Sequence, residues 1–168
     1  MLELLDIGRF APSAGNSQGL SYILIESPQV LQRITSVTID WMEEQYRTGC
    51  EWAKRYVRYV RIYRATRRDI ILRDAPSLVL VTATEDFLYG RDNARYSLAY
   101  VELYATALGL GSCWMGFVEL CAISKYPPLL EQLNIPTGKI VTGAVVVGYP
   151  KYTFKRLVER SPMSLTLC

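Results

Sequence analysis

The spacing of apolar residues divides the first third of the chain into helical and extended segments. Apolar side chains at helical intervals predict a short helix over residues 2–10. Pro12 ends this helix, because proline restricts the residue before it to extended geometry. The run 20–25 predicts a strand. A second helix begins at Pro28, since proline is favoured in the first turn, and we expect it to continue to about Trp41.

The rest of the chain contains two continuous apolar runs, separated by helical patterns. Residues 77–83 and 139–147 predict strands, and the first of them is typical of a strand buried on both faces. One helix is expected over residues 50–72, and another begins with Asp92 as its cap and ends at Gly109. We expect a short extended piece at 112–116, a small helix at 129–133, and a basic tail at 151–168. The pattern predicts a single α+β domain, residues 1–168, with at least two layers.

Composition supports a folded domain and excludes several kinds of chemistry. The chain has 168 residues, of which 50% are hydrophobic and 21% charged, a profile that excludes a disordered protein. Its four cysteines form no CxxC pair, so nothing indicates a zinc ribbon or an iron–sulfur site. The sequence contains no histidine, which excludes Ser-His and Cys-His catalysis and imidazole-ligated metals. Any catalysis would therefore depend on a bound cofactor or on carboxylate side chains.

Positive charge is concentrated in the predicted helix 50–72. Residues 54–69 contain seven Lys or Arg and one Asp, whereas the whole chain has a net charge of +3. Arginines recur every three residues, so each is rotated back by about 60° and the charges surround most of the helix. This geometry favours a solvated helix that projects from the domain. A contact for a cosubstrate or for an acidic redox partner is the second interpretation, and a nucleic-acid surface is the third. We expect no membrane span and no signal peptide, hence a cytoplasmic protein.

Three polar or glycine-rich segments are candidates for a binding site. The loop 12–18 combines hydroxyl and amide side chains that can hydrogen-bond a flat polar ligand, although an ordinary Asx-type turn has the same composition. Glycines in the segment 109–116 allow backbone amides to approach a ligand, but they also suit a plain helix end. Cations from Lys151 to Arg160 could bind a phosphate or form a solvated tail.

Taken together and in this order, these segments resemble the nitroreductase family of flavin proteins. The flavin-edge loop of the family resembles residues 9–18, and its central strand resembles residues 74–81. Its core helix with the second flavin loop resembles residues 103–116, and its last strand with the following exit resembles residues 143–151. Trp114 and the Gly-Tyr-Pro-Lys-Tyr exit are most similar to members in which this domain follows a ferredoxin-like module. The family's Arg-x-Ser-x-Arg segment does not occur in these 168 residues, a pattern that suits a natural short form, a misassigned start or a fragment.

The resemblance implies a fold, a cofactor and an activity. The fold would be a three-layer α/β/α sandwich with a mainly antiparallel central sheet. FMN would lie between the two subunits of a homodimer and pass electrons from NAD(P)H or a ferredoxin-like donor to a nitroaromatic, quinone or similar small acceptor, with no nucleic acid or membrane involved. The alternatives are a flavin-binding protein without turnover and, ranked after it, a nucleic-acid-binding module formed by the basic helix. Met115 and Gly116 would present backbone N–H groups to the flavin, and the residues expected to contact FMN are Pro12, Ser13, Ala14, Asn16, Gln18, Trp114, Met115, Gly116, Arg156 and Arg160.

Overall fold

A four-stranded antiparallel sheet runs through the middle of the structure. The computed structural model describes residues 1–153, 155–156 and 158–167. Phe154 in the expected basic segment, Leu157, and Cys168 among the four cysteines lie outside the described residues. The strand order is β1-β2-β4-β3, so β1 and β3 form the two edges. The strands are β1 (Ser21–Ile25), β2 (Ser77–Thr84), β3 (Gly111–Trp114) and β4 (Lys139–Gly148).

The two central strands are buried on both faces, as their continuous apolar sequences predict. Alternate residues of β2 enter different cores: Leu78 and Leu80 pack on one side of the sheet, whereas Val79 and Val81 pack on the other. The helices are α1 (Leu2–Asp6), α2 (Pro28–Arg47), α3 (Glu51–Lys54), α4 (Val57–Thr66), α5 (Gly90–Ala107), α6 (Gly116–Ile123) and α7 (Pro127–Leu133).

These helices cover both faces of the sheet and form the expected three layers. Side chains of α2, α4, α6 and α7 make up the core on one face, and those of α1 and α5 make up the core on the other. Gly143 of β4 permits close packing of α5, because a Cβ atom there would lie 2.7 Å from Leu98 Cδ1. The three-layer α/β/α sandwich is therefore confirmed. Among the described residues, no helix has both the length and the apolar character needed to cross a membrane.

The predicted basic helix over residues 50–72 is wrong in extent and in placement. It is divided into α3 and α4, and α4 ends where Arg67 adopts a left-handed backbone conformation with φ of 57°. The helix does not project into solvent, because Val60 and Tyr63 are buried in the core. Packing of the aromatic residues between the charges, which the charge pattern conceals, holds it against the domain.

Other differences concern the boundaries of helices. The helix from Pro28 continues to Arg47 instead of ending near Trp41. Asp92 does not cap α5: the helix begins at Gly90, so Asp92 lies in its first turn. The segment expected to be extended over 112–116 ends at Trp114, and α6 begins at Gly116 without having been predicted. Its eight residues are apolar on nearly every side, so no amphipathic period marks it as a helix.

Candidate functional site

The loop 12–18 has an irregular backbone that depends on residues with special conformational freedom. Ala11, the residue before Pro12, is extended, with φ of −64° and ψ of 144°. The loop then forms a single 3-10 turn (Ala14–Asn16) in which Gly15 and Asn16 have φ of 58° and 55°. Such left-handed conformations are easy for glycine and tolerated by asparagine. The Ser13 hydroxyl accepts a hydrogen bond from the Gln18 N–H at 3.0 Å and closes the loop on itself.

Asn93 connects this loop to the helix α5. Its side chain is 1% exposed, and its Oδ1 accepts a hydrogen bond from the Ala14 N–H at 3.0 Å. The Nδ2 group donates to Ser17 Oγ at 3.2 Å and to the Gln18 carbonyl at 3.4 Å. Sequence reasoning missed Asn93. The available signal was its position four residues before Ser97 on the apolar face of α5, where a polar side chain needs a partner.

A cavity of about 490 Å³ lies beside the loop. Its lining includes Pro12, Ser13 and Gln18, but not Ala14 or Asn16. Farther in, the Tyr22 hydroxyl and Ser97 Oγ are 2.6 Å apart, and burial raises the pKa of Tyr22 above its ordinary value. The lining of this cavity thus combines hydroxyl and amide groups with the Arg9 side chain.

The second predicted segment, residues 114–116, joins β3 to α6. Trp114 donates its indole N–H to Glu119 Oε2 at 2.8 Å, and this carboxyl group is largely buried. The Met115 N–H donates to the Ala144 carbonyl at 2.8 Å, so it extends the sheet. This N–H is therefore already paired within the sheet, and its contact with the flavin stays a prediction. Gly116 is the first residue of α6, where amide groups have no partner within the helix.

A separate cavity of about 250 Å³ opens beside residues 114–116. Its walls are mostly aromatic and apolar. The Phe117 ring meets Tyr56 edge to face, with 4.7 Å between ring centroids, and lies 5.9 Å from Tyr59. Its lining consists of Tyr56, Tyr59, Ile70, Ile71, Arg73, Trp114, Met115, Gly116, Phe117, Val118 and Leu120.

The structure does not bring all the predicted site residues together in one chain. The loop 12–18 precedes β1 at one edge of the sheet, whereas residues 114–116 lie at the end of β3, the opposite edge. Three strand spacings separate these edges, about 14 Å. The two cavities share no lining residue. Arg156 and Arg160 are exposed in the tail and line neither of these two cavities.

Part of the basic charge of α4 is neutralised within the fold. Arg64 forms ion pairs with Asp40 at 2.5 Å and Glu43 at 2.8 Å, and its hydrogen bond holds the pKa of Glu43 below its ordinary value. Arg58 instead lies over the Tyr59 ring, 5.9 Å from its centroid. The arginines of α4 thus differ in their contacts, although their regular three-residue spacing suggests equivalent solvated positions.

Comparison with known families identifies the relationship. The model of the nitroreductase family matches residues 1–149, and the chain belongs to this family. This match covers both cavities, and it includes the loop 12–18 and the β3–α6 junction.

Solved structures show the same fold at low sequence identity. A nitroreductase with bound FMN from Desulfitobacterium hafniense DCB-2 is 18% identical, with a TM-score of 0.72 and coverage of 97% of this chain and 84% of that one. A nitroreductase with bound FMN from Bacteroides fragilis NCTC 9343 has a TM-score of 0.73 at 18% identity and the same coverage. An FMN-dependent nitroreductase from Clostridium difficile R20291 is 19% identical, with a TM-score of 0.65 and coverage of 98% and 86%.

Proposed function

We propose that this member of the nitroreductase family is an FMN-dependent oxidoreductase. It would pass electrons from NAD(P)H or an iron–sulfur donor to a nitroaromatic, quinone or similar acceptor. The observation that carries the proposal is the family match over residues 1–149, which covers both cavities. The bound FMN in the Desulfitobacterium hafniense and Bacteroides fragilis proteins supports the choice of cofactor. We include a cytoplasmic location in the proposal, because nicotinamide cofactors are available there.

The residues at the two cavities suit the chemistry of a flavin. Ser13 and Gln18 supply hydroxyl and amide groups for the polar edge of a flat ring, and Asn93 fixes the loop that carries them. At the other cavity, the Gly116 N–H at the start of α6 can donate to an acceptor atom of the ring. FMN, when bound, supplies the electron transfer that the chain's own side chains cannot perform. Arg160 and Arg156 are the proposed phosphate contacts.

A homodimer would combine the two halves of this site. In one chain the halves lie at opposite sheet edges, so a second copy is needed for a ring to contact both. The outer face of α5 offers a surface for this copy: Tyr96, Tyr100 and Leu103 recur at helical spacing and are 54%, 40% and 72% exposed. A contiguous apolar stripe of this kind is typical of an interface.

Reconstitution with excess FMN tests the proposal. After removal of free flavin, we expect a yellow protein that oxidises NADH or NADPH in the presence of 4-nitrobenzamide. A colourless protein would contradict the proposed cofactor. The protein could instead be yellow but oxidise neither NADH nor NADPH, and fail to reduce the acceptor even after chemical reduction of its bound flavin. That result would indicate the alternative, a flavin-binding protein without turnover.

A further inference from the structure

The cavity beside residues 114–116, called the slot from here on, has the size and the lining expected of a site for one aromatic ring. Tyr56 and Tyr59 lie 5.9 Å apart between centroids, and both contact Phe117 within ordinary aromatic distances. Ile70 and Ile71 complete the apolar wall. The volume of about 250 Å³ suits a single planar ring and is too small to enclose a dinucleotide. Aromatic walls favour a flat ligand, which they bind by offset stacking or edge contacts.

One charged side chain, Arg73, lines this otherwise uncharged slot. Its guanidinium group is exposed and forms no ion pair with a carboxylate among the residues that the structure describes. Arg64 differs, since two carboxylates neutralise it. A guanidinium group at the side of an apolar slot favours an anionic group on the ligand, because its fork of donors fits a carboxylate.

Hydrogen bonds within the fold fix the backbone of the loop that carries Arg73. Arg73 and Asp74 both have left-handed backbone conformations, with φ of 60° and 57°. The Asp69 carboxylate stabilises the loop by accepting hydrogen bonds from the N–H groups of Ile71, Leu72 and Asp74, at 3.0, 2.9 and 3.3 Å. It also accepts a bond from the Thr35 hydroxyl of α2 at 3.0 Å, which ties the loop to a core helix.

We propose that this slot binds an anionic, single-ring aromatic acceptor. The ring packs against Tyr56, Tyr59 and Phe117, and its negative group pairs with the Arg73 guanidinium. This inference rests on the proposed function, because the ring would then lie beside Gly116, where the flavin is proposed to bind. It goes further by assigning the charge of the acceptor and the residue that selects it.

A matched pair of nitroaromatics tests the selection. We propose to use 4-nitrobenzoate and its methyl ester, which share a ring and a nitro group but differ in charge. The oxidised, FMN-loaded protein is titrated with each compound by calorimetry, and kcat/KM is measured for both. We expect the acid to be preferred after correction for its intrinsic reduction rate by free reduced flavin. Replacement Arg73→Met should remove about fivefold to tenfold of that preference, whereas Arg73→Lys should retain part of it.

Controls separate this inference from the proposed function and from general charge effects. Arg33→Met removes an exposed arginine of α2 that lines neither cavity, and it should leave both compounds unchanged. Equal binding of acid and ester by the unmutated protein would overturn the inference, as would an equal loss for both compounds in Arg73→Met. FMN retention is recorded for every variant. A protein that does not bind FMN contradicts the proposed function, and calorimetry on the flavin-free chain then still tests the slot.

Discussion

Replacement of Asn93 by alanine should weaken both the loop 12–18 and the binding of FMN. Three hydrogen bonds disappear, of which two have good lengths of 3.0 and 3.2 Å and one is long at 3.4 Å. Each good bond contributes about 1 kcal/mol net, so the expected loss is about 2 kcal/mol. The Ala14 N–H also loses its partner in a partly buried position, which adds to this loss.

This magnitude translates into two measurable shifts. For a chain of this length, a loss of about 2 kcal/mol lowers the melting temperature by about 4 to 8 °C. If the loop alone becomes disordered, FMN binding must order it again, and this free energy opposes binding. The dissociation constant of FMN then rises by about tenfold to thirtyfold. Calorimetric melting and flavin fluorescence titration together account for both contributions. Asn93→Asp keeps the acceptor for Ala14 but places a buried carboxylate oxygen against the Gln18 carbonyl, so we expect a loss at least as large as that of Asn93→Ala.

A suitable control is Thr106→Ala near the end of α5. Its hydroxyl is exposed and bonds to the Leu103 carbonyl within the same helix, far from the loop 12–18. We expect this variant to melt and bind FMN like the unmutated chain. An Asn93→Ala variant whose melting temperature and FMN affinity both equal those of the control would show that Asn93 does not stabilise the loop.

Three further predictions concern the tail, the interface and the pH dependence of stability. Arg160→Met should weaken FMN binding about thirtyfold, because it removes a phosphate contact that contributes about 2 kcal/mol. Riboflavin binding should not change, since riboflavin lacks the phosphate. Equal losses of FMN and riboflavin affinity in fluorescence titrations would disprove the assignment of Arg160 to the phosphate. Leu103→Asp should raise the dimer dissociation constant at least about a hundredfold by light scattering, since a two-fold interface contains the change twice, while Tyr46→Asp on α2 should not. Because burial raises the pKa of Tyr22, its contribution to stability is present below the unfolded-state value of 10.0 and decreases as the pH rises above it. Tyr22→Phe should therefore reduce the alkaline loss of unfolding free energy, and an unchanged pH slope would exclude this role.

Regular elements could be predicted from the sequence where the local pattern and the tertiary environment agree. β2 and β4 are continuous apolar runs because both faces of the sheet are covered, and the sequence shows this directly. Pro28 marks the start of α2, and Gly109 follows the end of α5 with a left-handed φ of 70°. These features depend on residues close together in sequence.

The charge pattern did not predict the structure of residues 50–72 correctly, because exposed and buried positions alternate within this basic segment. Trp52 lies 5.3 Å from Trp41 between ring centroids, and Tyr56 packs against Phe117. Those aromatic contacts come from α2 and α6, so they are absent from any local window of the sequence. Local spacing predicts one continuous helix, whereas the actual packing divides it into α3 and α4.

The irregular loops at the site depend on long-range partners that periodicity does not reveal. Asn93 is 79 residues from Ala14, and Thr35 is 34 residues from Asp69, yet these pairs connect the two loops to core helices. In each case one polar side chain forms hydrogen bonds with several backbone groups of an irregular segment, because these groups have no partners in a helix or a sheet. A polar residue on the apolar face of a predicted helix, as Asn93 is, therefore indicates that an irregular segment packs there. The same observation explains why candidate site residues could be proposed from their types and spacing, whereas the side chains that fix the two loops could not.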